Sequence, residues 1–546
     1  MARRLRLASR HGRSLKMSDE EIPFLTPDPQ HARISSRDSN GPKGSWVQHI
    51  YPQSRFSWTA VAAIFILSWV IFGDISRGTL LQPPPSCDHV SKGYQCQPNI
   101  SHYWGQYSAY FQVPSEISPD VPAGCQVTYS QVLSRHGGRD PTAGKTVLYA
   151  QTIQKIKSNV NIFPRVYAFL ADYEYTLGAD QLTAFGEQEM IHSGTDFFTR
   201  YKDLATASIP FVRASGQQRV TDSANKFNQG FHQAKLAAGE SEDPQYPYDV
   251  VIISEEAGSN NTLDHGLCTT FESDSHETRH AAQGSFARTF IPTISARLNT
   301  DLPDANITEA ETIFLMDLCP FETIASPTGT PSPFCALFSQ AEWEHYNYYQ
   351  TIGKYYSFGP GNALGPTQGT GFVNELISRL TGKPVTDHTS VNKTLDGSPD
   401  TFPLGRTLYA DFGHDNDMVA AFFALGLYNS TPTLSTSHLM TVEEMRGFSS
   451  AWTVPFAARA YFEKMRCPGV EEDMVRVLVN GRVIPLKSCG GDQLGRCTLG
   501  KFVESLSFAS GGGRWDQCFN VLPLTRPPLV PLSWVSLNEI RGGETS

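Results

Sequence analysis

Cysteine is absent from the first 86 residues of this 546-residue chain, and all ten cysteines lie between Cys87 and Cys518. Their even count favours disulfide bonds in an oxidising compartment. Zinc binding is the competing interpretation, but no compact Cys-x-x-Cys pair or histidine partner supports it. The chain also lacks a His-Glu-x-x-His motif and a complete calcium-loop pattern. We therefore expect neither a metal nor another cofactor.

Positive charge is scarce beyond residue 55. Residues 1–55 hold ten Lys and Arg against five Asp and Glu, whereas the rest of the chain holds 34 against 49. Such an acidic domain is a poor partner for nucleic acid. It suits an acidic medium, where protonation of carboxylates reduces self-repulsion. A chain that is 40% hydrophobic can bury a large core, so the class is globular.

The N-terminus carries the one long apolar run. Residues 1–55 are polar and rich in Arg, Ser and Pro, which predicts a disordered basic tail. Residues 56–73 are uncharged and mostly apolar, and no Ala-x-Ala cleavage pattern follows them, which favours a transmembrane signal anchor. The basic residues before this span predict a single-pass type II protein with its main domain in the lumen or outside the cell. Cleavage in the Pro-rich stalk, residues 74–86, or a wrongly assigned start codon are the alternatives.

Five Asn-x-Ser/Thr sequons follow the span and agree with this orientation, although each is a weak signal by itself. They begin at Asn99, Asn260, Asn306, Asn392 and Asn429.

The segment from Ser134 to Thr142, Ser-Arg-His-Gly-Gly-Arg-Asp-Pro-Thr, places His136 between the guanidiniums of Arg135 and Arg139. Phosphoryl transfer needs a nucleophile in line with phosphorus and fixed cations around its oxygens. Two neighbouring guanidiniums disfavour the imidazolium form, so we expect His136 to keep a free lone pair. The alternative is a chance basic turn on the surface.

A strand, loop and helix pattern recurs at three places that carry chemistry. The strand-like runs are Gln126 to Leu133, Ile209 to Arg213 and Thr407 to Asp411. Ligands of α/β sheets bind beyond the carboxyl ends of strands, so we expect the three segments to meet. The third is followed by His414 and Asp415, a pair that by itself is more often a helix cap than a site. A hairpin is predicted at residues 475–485.

The segment around His136 resembles the signature of the histidine acid phosphatases, and longer runs resemble the phytase branch, secreted fungal enzymes that remove phosphates from inositol hexakisphosphate. The runs are SHYWGQYS from Ser101, PAGCQVTYSQVLSRHG from Pro122, LGADQLTAFGEQE from Leu177, GPTQGTGFVNELI from Gly365, LYADFGHDN from Leu408 and GFSSAWTVPFAAR from Gly447. The resemblance covers residues 87–519 and implies an α/β sandwich with a helical insertion, roughly residues 145–320. It covers neither the N-terminus nor the Pro-rich tail, residues 520–546.

The resemblance also implies roles for individual residues. His136 would be the nucleophile and Asp415 the proton donor; Arg135, Arg139, Arg213 and His414 would bind phosphate; Gln106, Tyr107, Thr142 and Lys354 would contact substrate. Arg213 is selected by its context, Phe-Val-Arg-Ala-Ser-Gly, whereas Arg219 is expected to be structural or solvated. Gln106 and Tyr107 could instead pack the start of the domain, and Lys354 could be a solvated charge. The implied disulfides are Cys87–Cys96, Cys125–Cys467, Cys268–Cys518, Cys319–Cys335 and Cys489–Cys497.

Departures from the family pattern bear on specificity. Asp140 stands where tyrosine is usual, Val166 and Ala171 stand where relatives place lysines, and Gly353 replaces one member of a lysine pair. Each change removes attraction for a polyanion. The hypothesis is an acid phosphomonoesterase acting on phytate. The alternatives are a broad-specificity acid phosphatase, a phosphoglycerate-mutase-like enzyme, which the lumenal cysteines disfavour, and a catalytically silent surface glycoprotein.

Overall fold

A computed structural model of the protein describes residues 97–326 and 330–519. Five predicted features lie outside these residues: the basic tail, the signal anchor, the stalk, the Cys87–Cys96 bond and the C-terminal tail. Within the described ranges, no helix is both long and apolar enough to cross a membrane.

The centre of the domain is a mixed sheet with the strand order β3-β2-β4-β1-β5-β6-β7, and β8 pairs with β6. Its strands are β1 (Gln126–Arg135), β2 (Phe211–Ser215), β3 (Val250–Ile253), β4 (Leu408–Gly413), β5 (Arg459–Arg466), β6 (Met474–Val479), β7 (Arg482–Val483) and β8 (Arg496–Thr498). The first four strands are parallel to one another and β5 to β8 pair antiparallel. Because parallel strands end at the same edge, the loops after β1, β2 and β4 converge there.

Ten helices of seven or more residues surround the sheet in the described part of the chain. They are α1 (Ala143–Asn159), α2 (Ala184–Arg200), α3 (Gln218–Ala237), α4 (Thr269–Ala287), α5 (Ile291–Asp301), α6 (Glu309–Ala325), α7 (Gln340–Phe358), α8 (Thr370–Thr381), α9 (Asp415–Ala424) and α10 (Leu499–Ser505). Helices of four residues lie at Pro98–Ser101, Lys202–Ala205, Lys393–Asp396, Ser450–Thr453 and Ser507–Ser510.

Side chains alternate between the two faces of the sheet, and each face packs against its own hydrophobic core. Val132, Val212 and Ala410 pack on one face in a cluster with Phe197 of α2 and Phe227 of α3. Leu133 and Tyr409 are the sequence neighbours of Val132 and Ala410, and both belong to the larger cluster on the other face. The sheet is therefore covered on both sides, which confirms the mixed α/β architecture.

The helical layer differs from the predicted continuous insertion at roughly residues 145–320. That stretch contains β2 and β3, which are strands of the central sheet. Helices α1 and α4 to α7 form the layer instead, tied together at Asp317 of α6, which accepts hydrogen bonds from Tyr149 of α1 and Tyr346 of α7. The first of these strands is the run predicted at Ile209 to Arg213, whereas β3 was not predicted, because a strand of four residues carries little periodicity of its own.

The other local predictions are confirmed. All three strand, loop and helix units form, as β1 with α1, β2 with α3 and β4 with α9. The hairpin turns at Asn480 and Gly481, which both have positive φ angles, 49° and 83°. The four implied disulfides within the described residues are present: Cys125–Cys467, Cys268–Cys518, Cys319–Cys335 and Cys489–Cys497.

The loop after β1 is held by the first turns of α2. Thr183 donates its backbone N–H to the carbonyl of Gly138 at 3.0 Å, and Glu189 accepts the N–H of Gly138 at 2.9 Å. The backbones approach so closely that a Cβ on Gly186 would lie 1.9 Å from the Gly138 carbonyl oxygen. Glycine at position 186 is therefore a steric requirement, and the position of the loop is determined by backbone contact with α2.

We expect Gly186→Ala to lower the free energy of unfolding by about 1–3 kcal/mol or more, because the added methyl group must displace the loop. Gly405→Ala is the matched control, since a Cβ there meets nothing within 4 Å, and its effect should stay within about 0.5 kcal/mol. Thermal unfolding of both variants measures the difference. Equal midpoints would show that the contact between the loop and α2 is not rigid.

Candidate active site

His136 follows the last residue of β1. Its backbone N–H donates to the carbonyl of Gly413, the last residue of β4, at 3.2 Å. Its ring Nδ1 lies 2.8 Å from the carbonyl oxygen of Gly137, which can only accept, so Nδ1 carries the proton. The lone pair is consequently on Nε2, which agrees with the expected nucleophile.

Burial is the largest cause that lowers the pKa of His136 well below its usual value, and the charges of Arg135, Arg219 and Arg139 lower it further. The side chain is almost fully enclosed, at 1% exposure. The imidazole is therefore neutral through the mildly acidic range, as the sequence predicted, although desolvation contributes more than the neighbouring guanidiniums.

Three guanidiniums next to this ring keep donors without acceptors. The Nε–H groups of Arg135, Arg139 and Arg219 are buried and have no hydrogen-bond partner in the described part of the chain. Other nitrogens of the first two are held by carbonyl oxygens, that of Val454 for Arg135 at 2.9 Å and that of Asp140 for Arg139 at 2.8 Å. Buried donors of this kind are costly unless an anion accepts from them.

Arg213 is not part of this cluster, which corrects the prediction that it binds phosphate. It lies within β2, opposite Asp411 in the register with β4. Its Nε donates to Asp411 at 2.8 Å, and a second nitrogen donates to Glu375 of α8 at 2.6 Å. The side chain is thus on the sheet face that is turned toward α8, in a buried ion network, because a residue inside a strand projects from the sheet rather than beyond its end.

Arg219 takes the place that the sequence assigned to Arg213. It is the second residue of α3, the helix that follows β2, and its charge lowers the pKa of His136. Burial and the charge of Arg139 lower the pKa of Arg219 itself to about 10. The sequence contained the information that selects Arg219. Ligands bind at helix starts beyond strand ends, and Arg219 is at such a position whereas Arg213 lies within the strand.

His414 precedes α9 and faces His136, with their ring centroids 5.7 Å apart. Its Nε2 donates to Glu255 at 3.0 Å. Glu255 also accepts from the hydroxyl of Ser215 at 2.5 Å and from the N–H of Gln217 at 3.2 Å. Burial by itself would raise the pKa of Glu255, but the hydrogen bond and charge of His414 outweigh it and hold the pKa well below its usual range. The sequence did not reveal Glu255, which orients His414.

Asp415 opens α9 on the other side of the cluster. Its Oδ2 lies 3.4 Å from a nitrogen of Arg135 and 2.6 Å from Nζ of Lys354. Burial opposes ionisation, yet Arg135 and Lys354 outweigh it and hold the pKa of Asp415 far below its usual value. Lys354 is therefore a partner of Asp415 and not a solvated charge.

The remaining predicted contacts line the same region. The carbonyl of Gln106 accepts from Arg135, and its side-chain amide donates to Gln350 at 2.9 Å. Tyr107 accepts from Lys145 at 2.8 Å. Thr142 lies directly before α1, and its hydroxyl is buried without a partner in the described residues. These positions are compatible with substrate contact, but Gln106 and Tyr107 also pack the site from behind.

Two clusters of possible metal ligands lie behind His414. One is formed by Glu255, Asp264 and His414, the other by Asp264, His265 and Asp417, and the ligand atoms in each lie within 4.8 Å of one another. The hydrogen bond between His414 and Glu255 accounts for the first cluster. The guanidiniums around His136 supply the positive charge that a metal would otherwise provide.

Comparison with known proteins agrees with this geometry. The family model for the histidine phosphatase superfamily (branch 2) matches residues 126–480. Phytase A of Aspergillus oryzae is 53% identical over 80% of this chain and 94% of its own length. For Phytase A of Aspergillus fumigatus the identity is 49%, over 84% of this chain and all of the relative.

Solved structures show the shared fold. The phytase from D. castellii superimposes with a TM-score of 0.64 at 24% identity, covering 77% of this chain and 88% of that one. The Bifidobacterium longum multiple inositol polyphosphate phosphatase, in complex with inositol hexasulfate, gives 0.53 at 15% identity, covering 74% and 97%. The signature around His136, the fold and the sequence match together show that this chain belongs to branch 2 of the histidine phosphatase superfamily.

Proposed function

We propose that this protein is an acid phosphomonoesterase that hydrolyses phytate to lower inositol phosphates and inorganic phosphate through a phosphohistidine intermediate. The observation that carries this proposal is the neutral ring of His136 beside Arg135, Arg139 and Arg219, whose buried Nε–H groups have no acceptor among the described residues. A phosphate monoester supplies both the electrophile for the ring and the acceptors for the guanidiniums.

In the first step, Nε2 of His136 attacks phosphorus and the P–N bond forms as the bond to the ester oxygen breaks. Arg135, Arg139, Arg219 and His414 bind the non-bridging oxygens, where negative charge is spread. Arg219 stands here in place of Arg213. The proton stays on Nδ1, which donates it in a hydrogen bond to the Gly137 carbonyl, so the phosphorylated ring keeps its orientation.

The departing alkoxide needs a proton, and Asp415 is the group placed to donate it. In the free protein Asp415 is ionised, because Arg135 and Lys354 hold its pKa far below the usual value. A bound phosphate dianion offsets these two cations and raises the pKa of Asp415, so substrate binding and protonation are coupled. This coupling is a physical reason for activity in acid.

In the second step, water attacks phosphorus, the P–N bond breaks and Asp415 accepts the proton of the water. Inorganic phosphate leaves and the neutral ring of His136 is restored. The arginines offset the negative charge of the non-bridging oxygens in both steps.

Phytate as substrate rests on the similarity to two proteins named Phytase A, each covering at least 80% of this chain. The closeness of Lys354 to Asp415, 2.6 Å, supports it, since a cation there faces the leaving group and its remaining phosphates. A broad-specificity acid phosphatase is the second candidate, favoured by the acidic Asp140 next to Arg139.

We infer that the domain is located in the lumen or outside the cell, anchored by residues 56–73 or released from the stalk. The four disulfides support an oxidising compartment.

Purified full-length protein, assayed with EDTA at acid pH, should release phosphate from phytate in preference to an aryl phosphate. His136→Ala should abolish turnover of both, because the P–N bond cannot form. Assay of membrane and medium fractions locates the activity. Turnover of the aryl ester alone would favour the broad phosphatase, and no turnover of either would favour the silent glycoprotein.

Arg219→Ala should lower kcat/KM by about a hundredfold, since it removes a donor to the phosphoryl oxygens, and it should change thermal stability little. Arg213→Ala should lower thermal stability and change kcat/KM little. It leaves Asp411 and Glu375 buried without their partner, which costs about 3–5 kcal/mol of stability. Kinetics and thermal unfolding of both variants separate the two roles. A stable but inactive Arg213→Ala protein would restore the original assignment.

Lys354→Met should raise KM and move the alkaline limb of the kcat profile to higher pH. Lys354 lowers the pKa of Asp415, so its loss raises that pKa, and the proton donor stays protonated to higher pH. Lys354→Arg keeps the charge and should keep the limb in place. An unshifted limb in Lys354→Met would exclude Asp415 as the group that titrates there.

A further inference from the structure

Helix α4 covers the position at which some relatives carry a second lysine. Gln283 of α4 donates its side-chain amide to the carbonyl of Tyr349 on α7 at 3.1 Å. A Cβ on Gly353, one turn further along α7, would lie 2.6 Å from the nitrogen of that amide. The Gln283 amide thus occupies the space next to Gly353, α7 carries no charge at this position, and the next cation along this face is on α4.

Arg279 lies one turn before Gln283 on α4 and is half-buried. Its helical neighbours at three and four residues are Ser275, His276, Ala282 and Gln283, none of which is acidic. Its guanidinium has a hydrogen bond to the ring of His276, 3.1 Å long. In the part of the chain that the structure describes, no carboxylate forms an ion pair with it.

The charge of Arg279 acts on the active site. Burial is the main cause that lowers the pKa of Lys354, and Arg279 is among the cations that lower it further. Tyr349 is affected from two sides, because the charges of Lys145 and Arg279 both oppose the increase that burial causes in its pKa. The packing of the two helices agrees, because Phe271 of α4 contacts Phe358 of α7 with ring centroids 5.3 Å apart and Gln283 contacts Gly353. Arg279 lies between these two contacts along α4 and is therefore level with Lys354 on α7. Asp415 pairs with Lys354, so Arg279 is the cation without a carboxylate partner among the described residues, and it favours a further anionic group.

Lys354 also indicates which part of the substrate would lie next to α4. Its Nζ contacts Asp415, the proposed donor to the leaving oxygen, at 2.6 Å. The part of the substrate that departs with that oxygen thus lies against Lys354, and its other phosphates lie toward α4.

We propose that Arg279 is a specificity-determining residue that binds a phosphate group of the substrate other than the one attacked by His136. It supplies from α4 the charge that Gly353 cannot carry on α7. This inference rests on the proposed function, since it requires a substrate with several phosphates on one ring.

The test is competitive inhibition of aryl phosphate turnover by myo-inositol hexasulfate, which carries six anionic groups on the same ring, and by inorganic phosphate. In full-length protein, Arg279→Ala should raise the inhibition constant of the hexasulfate about three- to tenfold and leave that of phosphate unchanged. KM for phytate should rise in parallel, while kcat/KM for the aryl ester, which also reports correct folding, stays constant.

Two further variants complete the design. Arg279→Lys keeps the charge and should retain most of the hexasulfate affinity. Arg288→Ala, which removes an exposed arginine just beyond the end of α4 whose partner is Ser285, should have no effect. Equal changes in the inhibition constants of hexasulfate and phosphate in Arg279→Ala, or no change in either, would overturn the role of Arg279 but not the phytate proposal. Wild-type protein that turns over the aryl ester but neither binds hexasulfate nor hydrolyses phytate would overturn the phytate proposal as well.

Discussion

The structure depends on the burial of several cations around one uncharged imidazole. Arg135, Arg139 and Arg219 each keep a buried Nε–H group for which the described residues offer no acceptor, and burial lowers the pKa values of Arg135 and Arg219 to about 10. Removing charge from water in this way is costly. The surrounding fold has to hold the guanidiniums in place, and the backbone contact between the loop after β1 and the first turns of α2 does so. Because these buried donors are costly without an acceptor, they favour the binding of a phosphate dianion.

A second group of buried arginines shows the contrast between structural and functional charge. Arg213 and Arg379 both contact Asp411, and Arg213 also contacts Glu375, at distances from 2.6 to 2.8 Å. Two carboxylates thus face two arginines, and these ion pairs stabilise the packing of α8 on the sheet. The arginines near His136 have fewer and longer contacts of this kind, because Arg135 lies 3.4 Å from Asp415 and Arg219 lies 3.4 Å from Asp180. The number and length of carboxylate contacts therefore distinguish the two groups better than sequence context does.

Protonation links binding to chemistry. Asp415 is held ionised by Arg135 and Lys354, and Glu255 is held ionised by His414. The two carboxylates nevertheless serve different purposes, because Glu255 is fixed by Ser215 and Gln217 as well, whereas Asp415 contacts only groups that also face substrate. In the proposed mechanism, a bound phosphate offsets the charges of Arg135 and Lys354 at Asp415. The cations that bind phosphate in that mechanism also control the protonation of Asp415.

The sequence by itself determined the chemistry around His136, the three strand, loop and helix units and the place of His414 and Asp415. These features depend on residues that are near one another in the chain or on motifs with a fixed spacing. The disulfide pairing came from the family resemblance, because sequence alone does not pair distant cysteines. Tertiary structure decided which arginine joins the site, that β3 belongs to the central sheet, that Asp415 is ionised, and that Gln283 of α4 lies against Gly353. Each of these depends on which face of a strand or helix a side chain occupies and which distant charges it meets, and local sequence does not record such contacts.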